Sequence, residues 1–515
     1  MPSMVVIPTN GHVRRRVLVD RVHSIVSNRV QNGDEQYLVR WSTDSPTNTP
    51  PLSWHSITEL LRCLEHVQDY LDGREKFMQA SSQIRKRKNP DSGLEVERRA
   101  SPFDRRLQTG SRTPSASRSS SVSSAAPSTS SPIDIYNGVL DADEHHAIFC
   151  RNSTGADIAR LDIRTVPTPD MSRTAHRASV DKALTYIRNE YVRKLARVPG
   201  KEGKALYLIN SVDSSTPSLR FRYISEYVLD EKNGVYRASS ETQQGCTKCS
   251  PHMGRNIGCE YTKKCDCLEY AAVDESRLDA AEKAKYDEAR ATGASTMGFS
   301  KKFPYFASSN KRGKTRCLVP FYLNSRRPIY ECNDKCDCGP YCRNKNVQFG
   351  RQVEVEIFRT SGGRGWGLRC KEDLCQGQFI DTYRGEVITD AEATRREHAS
   401  SKAKASYLYS LDKFAVSESI ADEDIYVVDG EFMGGPSKFI NHSCEPNCRQ
   451  YTVSYNKHDL RVYDIAFFAC RPIPKGEELT FDYLDKDEGT SMDEPGEGAI
   501  PCLCGAAKCR KWLWT

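Results

Sequence analysis

Apolar and polar residues alternate along "RVLVDRVHSIVS" (residues 16–27) and again along "EQYLVRW" (35–41), as in strands with one buried face. Between them "NGDE" (32–35) is a turn signal, so the two runs predict a hairpin. The period then changes. In "SITELLRCLEHVQDYLD" (56–72), Leu60, Leu61, Leu64, Val67 and Leu71 recur at helical spacing after Ser56, which is placed as a cap. Together these elements predict a small α+β unit over residues 14–72. "VDKALTYIRNEYVRKLARV" (180–198) repeats the helical pattern, and "LYLINSVDSSTPSLRFRYISEYVL" (206–229) reads as short strands and turns. The alanine-rich, charged stretch 271–298 predicts an exposed helix or a flexible insertion. Beyond it, "VEVEIFRT", "GQFIDTYRGEVIT", "YLYSL", "IYVVDG", "LRVYDIAFFAC" and "ELTFDY" are short apolar runs separated by turn residues. They predict a mostly-β domain of small sheets over 351–485.

A chain of 515 residues is too long for one core. Its hydrophobic content of 38% and mean hydropathy of −0.64 are low, so part of it is expected to be unstructured. Of the net charge of +7, +6 lies in residues 81–132, with ten Arg or Lys against four Asp or Glu. That serine-, proline- and arginine-rich composition predicts a disordered basic linker over 79–135, followed by an extension over 136–235. "RKRK" (85–88) reads equally as a nuclear localisation signal, a nucleic-acid contact or a solvated run. No stretch approaches eighteen apolar residues and no secretory signal pattern opens the chain, so a soluble, intracellular protein without a membrane partner is expected. In that compartment the twenty cysteines are expected to bind metal rather than form disulfides.

Nine of them cluster over 244–345: Cys246, Cys249, Cys259, Cys265, Cys267, Cys332, Cys336, Cys338 and Cys342. Zinc takes four thiolates in a tetrahedron. Nine sulfurs fill two closed sites with one left over, or three sites if three sulfurs each bridge two metals. The density of "CDC" (265–267) and "CNDKCDCGPYC" (332–342) favours bridging, because neighbouring sulfurs serve well-separated ions poorly.

This block resembles the pre-SET domain of histone H3 lysine-nine methyltransferases of the suppressor-of-variegation class, in which nine cysteines hold three zinc ions. Cys317 has no counterpart there and is expected as a free thiol. "GRGWGLR" (363–369), "YRGEVI" (383–388), "FINHSCEPN" (439–447) and "EELTFDY" (477–483) resemble, in order, the SET domain of the same family. The resemblance implies a mostly-β SET domain flanked by zinc-cysteine pre-SET and post-SET modules. It also implies methyl transfer from S-adenosylmethionine to a histone H3 lysine, lysine nine in this class, in nuclear chromatin and heterochromatin. Methyl transfer to another lysine, or a non-catalytic scaffold on the same domains, is the alternative.

A free lysine has a pKa of about 10.4 and must lose its proton to attack a methyl group. An aromatic channel favours that by desolvation and holds the amine in near-attack geometry. Tyr383, Tyr407, Phe481 and Tyr483 are the aromatic candidates. By resemblance Tyr483 is the catalytic tyrosine, assisted by Tyr383, and Phe481 leaves room for di- or trimethylation. The resemblance further assigns donor contacts to Asn441, His442 and Tyr407, and to Arg364, Gly365, Trp366 and Gly367, whose glycines let the backbone approach closely.

Over 498–515, "CLCGAAKCRKWLW" supplies Cys502, Cys504 and Cys509. On spacing Cys444 and Cys448 both qualify as the fourth ligand; the family shares Cys444, which gives one post-SET zinc and leaves Cys448 a bystander. Trp512 is then expected to cover the donor or line the peptide cleft. Lys438 stands where many relatives carry arginine, without that residue's planar fork of donors. The loop 485–497 carries six acidic residues and one lysine, Lys486; it reads as a steering surface for a basic tail or as a linker. Finally, the unit at 14–72 resembles a chromodomain, whose methyl-lysine cage would fall on Val17, Trp41 and Asp44; only Trp41 is aromatic. A module for another partner or for nucleic acid is the alternative.

Overall fold

The computed structural model describes residues 21–42, 52–87, 141–142, 147–151, 157–162, 175–198, 204–252, 259, 265–307, 316–399, 407–484 and 499–514. Val17, Asp44, Lys486, the acidic loop 485–497 and residues 88–135 of the expected linker lie outside them. The chain divides into two units, 1–187 and 188–515, the boundary falling within the helix Asp181–Ala196.

In the first unit, Val22–Gln31, Asp34–Trp41 and Leu52–Ser56 form an antiparallel sheet. Asn32 and Gly33 both take positive φ, 52° and 78°, which joins the first two strands in the tight hairpin that the Asn-Gly pair predicts. Tyr37, Leu38 and Val39 of the central strand are buried. The helix differs from expectation: it runs Leu64–Arg87, and Ser56 ends the third strand instead of capping. Successive turns fill the gap, with Glu59 N–H donating to Ser56 O and Cys63 N–H to Leu60 O. Leu60, Leu64, Val67 and Leu71 still pack inward, but Leu61, which falls in the turns before the helix, is 41% exposed, so the apolar spacing set the helix onset too early and misplaced that one residue. The helix also continues through residues 79–87, where the linker was expected to begin.

The second unit is mostly β, as predicted, and built of small sheets. Ile329–Tyr330, Cys448–Ser454, Asp464–Ala469 and Phe379–Tyr383 form one, in that order. Its strand "DIAFFA" is buried at every position, as expected of a strand covered on both faces. Around it Tyr305, Leu318, Tyr322, Val453 and Phe468 make the core.

Within the expected extension 136–235, Asp141–Ala142, Ala147–Arg151 and Asp157–Asp162 form a sheet of their own, whereas the strands over 206–229 complete sheets of the β-rich domain. Leu206–Ile209 pairs in parallel with Val355–Arg359, which also pairs with Trp366–Cys370. Val228–Leu229 joins Glu386–Thr389, Tyr426–Asp429 and Leu408–Ser410, and Arg222–Tyr223 pairs with Met433–Gly434. Within 271–298 the helical alternative holds: Ala280–Thr292 starts at an Asp279 cap, turns Tyr286 and Ala289 inward, and stops at Gly293. Among the described residues no helix is long and apolar enough to cross a membrane.

Candidate active site and metal centres

The nine clustered cysteines converge into one body, eight of them buried and Cys267 half-buried. Three groups of four could each hold a metal: Cys246, Cys249, Cys265 and Cys267; Cys249, Cys259, Cys267 and Cys338; Cys259, Cys332, Cys338 and Cys342. A fourth grouping joins Cys267, Cys332 and Cys336. The groups share members, the arrangement that bridging thiolates require. Sulfur separations fit as well. Cys246–Cys265, Cys259–Cys332 and Cys267–Cys336 are each 3.6 Å apart, against about 3.8 Å for the edge of a tetrahedron with 2.3 Å zinc–sulfur bonds. Among the described residues, Cys317 belongs to no such group.

The second cluster is Cys444, Cys502, Cys504 and Cys509, all half-buried, with Cys444 and Cys502 sulfurs 3.8 Å apart. Cys448 stays out of it. Fully buried in its strand, it donates to Asn447 Oδ1 at 3.2 Å. The tail is held by a second link: Arg510 grips both carboxylate oxygens of Asp482, between Phe481 and Tyr483.

Beside the second cluster, two distant motifs lie side by side. Asn441–His442 pairs in parallel with Thr480–Phe481, and Ser443 N–H donates to Phe481 O at 3.0 Å. That crossing sets Tyr483 against His442: the Tyr483 N–H donates to His442 Nδ1 at 3.2 Å, and the rings meet edge-on at 5.4 Å. The Tyr483 hydroxyl donates to Ile440 O at 3.0 Å. Phe481 packs between Tyr483 and Phe467, with ring centres 4.7 and 4.8 Å away. Burial holds the Tyr483 phenol above its ordinary range, and burial with neighbouring Tyr483 and Tyr407 does the same to Tyr383. Both therefore stay protonated at neutral pH.

Tyr383 donates to Tyr407 O at 2.8 Å, and Gly430 N–H shares that carbonyl at 3.0 Å. Gly430 is required there: a Cβ on it would come within 2.4 Å of the Tyr383 hydroxyl oxygen. Lys438, bonded to Glu431 O, lies over the rings of Phe221 at 4.2 Å and Tyr407 at 4.7 Å. Burial pushes its amine down to about 8.

The glycine-rich strap meets the same centre. Gly365 takes φ 79°, turning the chain so that Trp366 enters a strand; its carbonyl accepts from Asn441 Nδ2 at 3.1 Å. Asn441 Nδ2 also donates to Glu478 at 2.8 Å, and Glu478 pairs with Arg364. At Gly367 a Cβ would press on Phe358 and Glu478 at under 3 Å. Of the expected residues, Arg364, Trp366, Gly367, Asn441, His442, Phe481 and Tyr483 thus converge, and Tyr383 and Tyr407 meet each other beside Gly430. Trp512 is half-buried in a tail ladder opposite Pro501. Glu478, Asp482, Arg510 and Gly430 were not singled out from the sequence. All four lie inside quoted stretches, but a residue's place in a motif does not show which distant partner it will meet.

The chain matches the family models described as the pre-SET motif over residues 198–345 and the SET domain over 365–484. It is 38% identical over 314 residues to "Histone-lysine N-methyltransferase, H3 lysine-9 specific KMT1" of Fusarium mangiferae, covering 60% of this chain and 87% of that protein. Likewise it is 37% identical over 317 residues to "Histone-lysine N-methyltransferase, H3 lysine-9 specific dim-5" of Neurospora crassa, with the same coverage of 60% and 87%. The solved "Neurospora SET domain protein DIM-5, a histone lysine methyltransferase" aligns at 33% identity and TM-score 0.44, over 56% of this chain and 98% of that one. With two family models matched in tandem, and relatives aligned over most of their own length, this chain belongs to the SET-domain histone-lysine N-methyltransferases.

Proposed function

We propose that this chain transfers methyl groups from S-adenosylmethionine to lysine nine of histone H3, producing di- or trimethyl-lysine in nuclear chromatin and heterochromatin. The observation that carries the reading is the parallel pairing of Asn441–His442 with Thr480–Phe481, which puts the expected donor residues beside Tyr483. S-adenosylmethionine, when bound, supplies an electrophilic methyl carbon on a sulfonium. Asn441, His442, Tyr407 and the strap Arg364–Gly367 hold it. Tyr483 and Tyr383 remain neutral phenols, so they orient the amine through their oxygens and do not take its proton. Desolvation among Tyr383, Phe481 and Tyr483 favours the uncharged amine, which releases its proton to water. Phe481 lacks a hydroxyl that would hold a water, leaving room for added methyl groups.

Three zinc ions on the nine-cysteine cluster and one in a post-SET site on Cys444, Cys502, Cys504 and Cys509 would brace this centre from both sides, with Trp512 closing over it. The N-terminal sheet and helix act as a chromodomain-like targeting module. Of the three cage positions implied by the resemblance only Trp41 is aromatic, so another partner or nucleic acid is at least as good a ligand as methyl-lysine, with the basic linker as a nucleic-acid contact. The test is incubation of the zinc-loaded chain with labelled donor and H3 peptides. Labelling lost on substitution of lysine nine supports the assignment. Labelling unaffected by that substitution would move the target elsewhere, and no labelling of any histone would leave the scaffold reading.

A further inference from the structure

Glu478 is held firmly at its backbone. Its carbonyl accepts from the Asn447 side-chain amide at 2.8 Å, and the next residue, Leu479, donates to Leu368 O at 2.8 Å. The carboxylate is thereby aimed at two segments far apart in sequence. Oε1 accepts from Asn441 Nδ2 at 2.8 Å, and Oε2 accepts from Arg364 at 2.5 Å. The Glu478 and Arg364 side chains are only 17% and 22% exposed, which removes much of the solvent screening that weakens surface pairs. A carboxylate can only accept hydrogen bonds. It therefore fixes which end of the Asn441 amide turns toward it: Nδ2 goes to Glu478 and Trp366 O, and Oδ1 faces the other way.

We propose that Glu478 is a positioning residue for the methyl donor: its single carboxylate clamps the Asn441 amide and the Arg364 guanidinium into one cradle and sets the amide's orientation. This rests on the donor-site reading given above. Glutamine at 478 has nearly the same shape but is neutral and can turn its NH2 toward Asn441, so Arg364 loses its counter-charge and the Asn441 amide keeps only Trp366 O as an obligatory acceptor.

The experiment measures donor and H3-peptide affinity separately by calorimetry on the full zinc-loaded chain, with melting temperatures, for wild type, Glu478→Gln, Glu478→Ala and Arg364→Ala. The donor dissociation constant is expected to rise about tenfold or more in both Glu478 variants. Peptide affinity and melting temperature should stay near wild type. Combining Glu478→Gln with Arg364→Ala should weaken donor binding by less than the product of the single effects, because the two share one interaction. In the donor-free chain, the Asn441 side-chain amide NMR signals should shift in Glu478→Gln. Unchanged donor affinity in both Glu478 variants would overturn the proposal. So would a parallel loss of donor affinity, peptide affinity and melting temperature, the mark of a structural role alone. A wild type that binds donor but methylates no histone would defeat the proposed function while leaving the role of Glu478 readable from the affinities.

Discussion

His442 stands between Cys444, a member of the tail cysteine cluster, and the tyrosine proposed to be catalytic: its Nδ1 accepts the Tyr483 N–H at 3.2 Å, and its Nε2 lies 3.3 Å from Cys444 Sγ. An Nδ1 that accepts must be unprotonated, so the ring's hydrogen sits on Nε2, directed at the sulfur. Burial favours this neutral form, lowering the imidazole to about 4. One ring thus contacts the proposed zinc ligand Cys444 and the proposed catalytic strand together. His442→Ala is expected to lower activity by about 10–100-fold and to loosen the tail zinc, the usual cost of removing a group that orients a ligand. Steady-state kinetics and zinc-release assays check both; zinc retention equal to wild type would separate the two roles.

The two cysteine clusters should respond differently to chelation. The nine-cysteine body is almost wholly buried, whereas all four tail cysteines are half-buried. Mild chelator is expected to remove one zinc first, abolishing activity while the β core stays folded. Harsher treatment should strip the remaining metals and unfold the pre-SET block, because Leu268, Ala271 and Phe303 alone are a small core for packed cysteines that have lost their cation. Metal analysis during titration, read against circular dichroism, would show about four zinc ions per chain leaving in two phases. A single phase would contradict this order.

The Arg510–Asp482 pair ties the tail to the proposed catalytic strand, with side chains only 10% and 11% exposed. Removing one member of a buried pair strands the other's charge. Arg510→Ala is expected to weaken donor and peptide binding together, about tenfold or more, while the melting temperature falls only modestly, because the released tail lets water reach Asp482. Calorimetry and thermal melts distinguish this from general destabilisation.

Much of this centre was legible before any coordinates, because its motifs carry unusual residues in fixed order and cysteine spacing exposes metal sites. Pairing between distant segments was not. Nothing in "LYLI" (206–209) states that it will lie parallel to Val355–Arg359, since a strand's partner is set by tertiary packing. The two-residue ladder Asn441–His442 is too short to leave a periodic trace. The helix Asp390–His398 was missed because only Ala393 turns inward, so it has no apolar stripe. "TDAE" (389–392) did carry a capping signal, realised as Thr389 accepting from the Glu392 N–H. In the first unit the reverse error occurred: apolar spacing ran ahead of the helix through a series of turns.

Product degree should follow Phe481. Its ring is buried against Phe467 and Tyr483, 4.7 Å between centres on the Tyr483 side, with no hydroxyl to occupy the neighbouring space. Phe481→Tyr adds an oxygen where the second and third methyl groups would go. The product is expected to shift toward monomethyl-lysine with the first transfer largely retained. Mass spectrometry of an H3 peptide after long incubation reads this directly; trimethyl product from the variant at the wild-type rate would contradict it.

Lys438 should make stability depend on alkaline pH. Burial lowers its amine from the ordinary 10.5 to about 8, despite the attraction of nearby Glu431 and Asp429. Below pH 8 the amine is charged in both folded and unfolded chains, and the fold carries the cost of burying that charge. Between about 8 and 10.5 the folded chain has released the proton while the unfolded chain still holds it. The unfolded state then binds more protons, so stability rises with pH across that window. Lys438→Met removes the titration. Relative to this variant, the wild type should gain up to about 3 kcal/mol on going from pH 7.5 to 10.5, measured by urea unfolding at each pH. If the gap between the two chains stays constant over that range, the lysine is not desolvated in the folded protein, and its place over Phe221 and Tyr407 is not where its charge resides in solution.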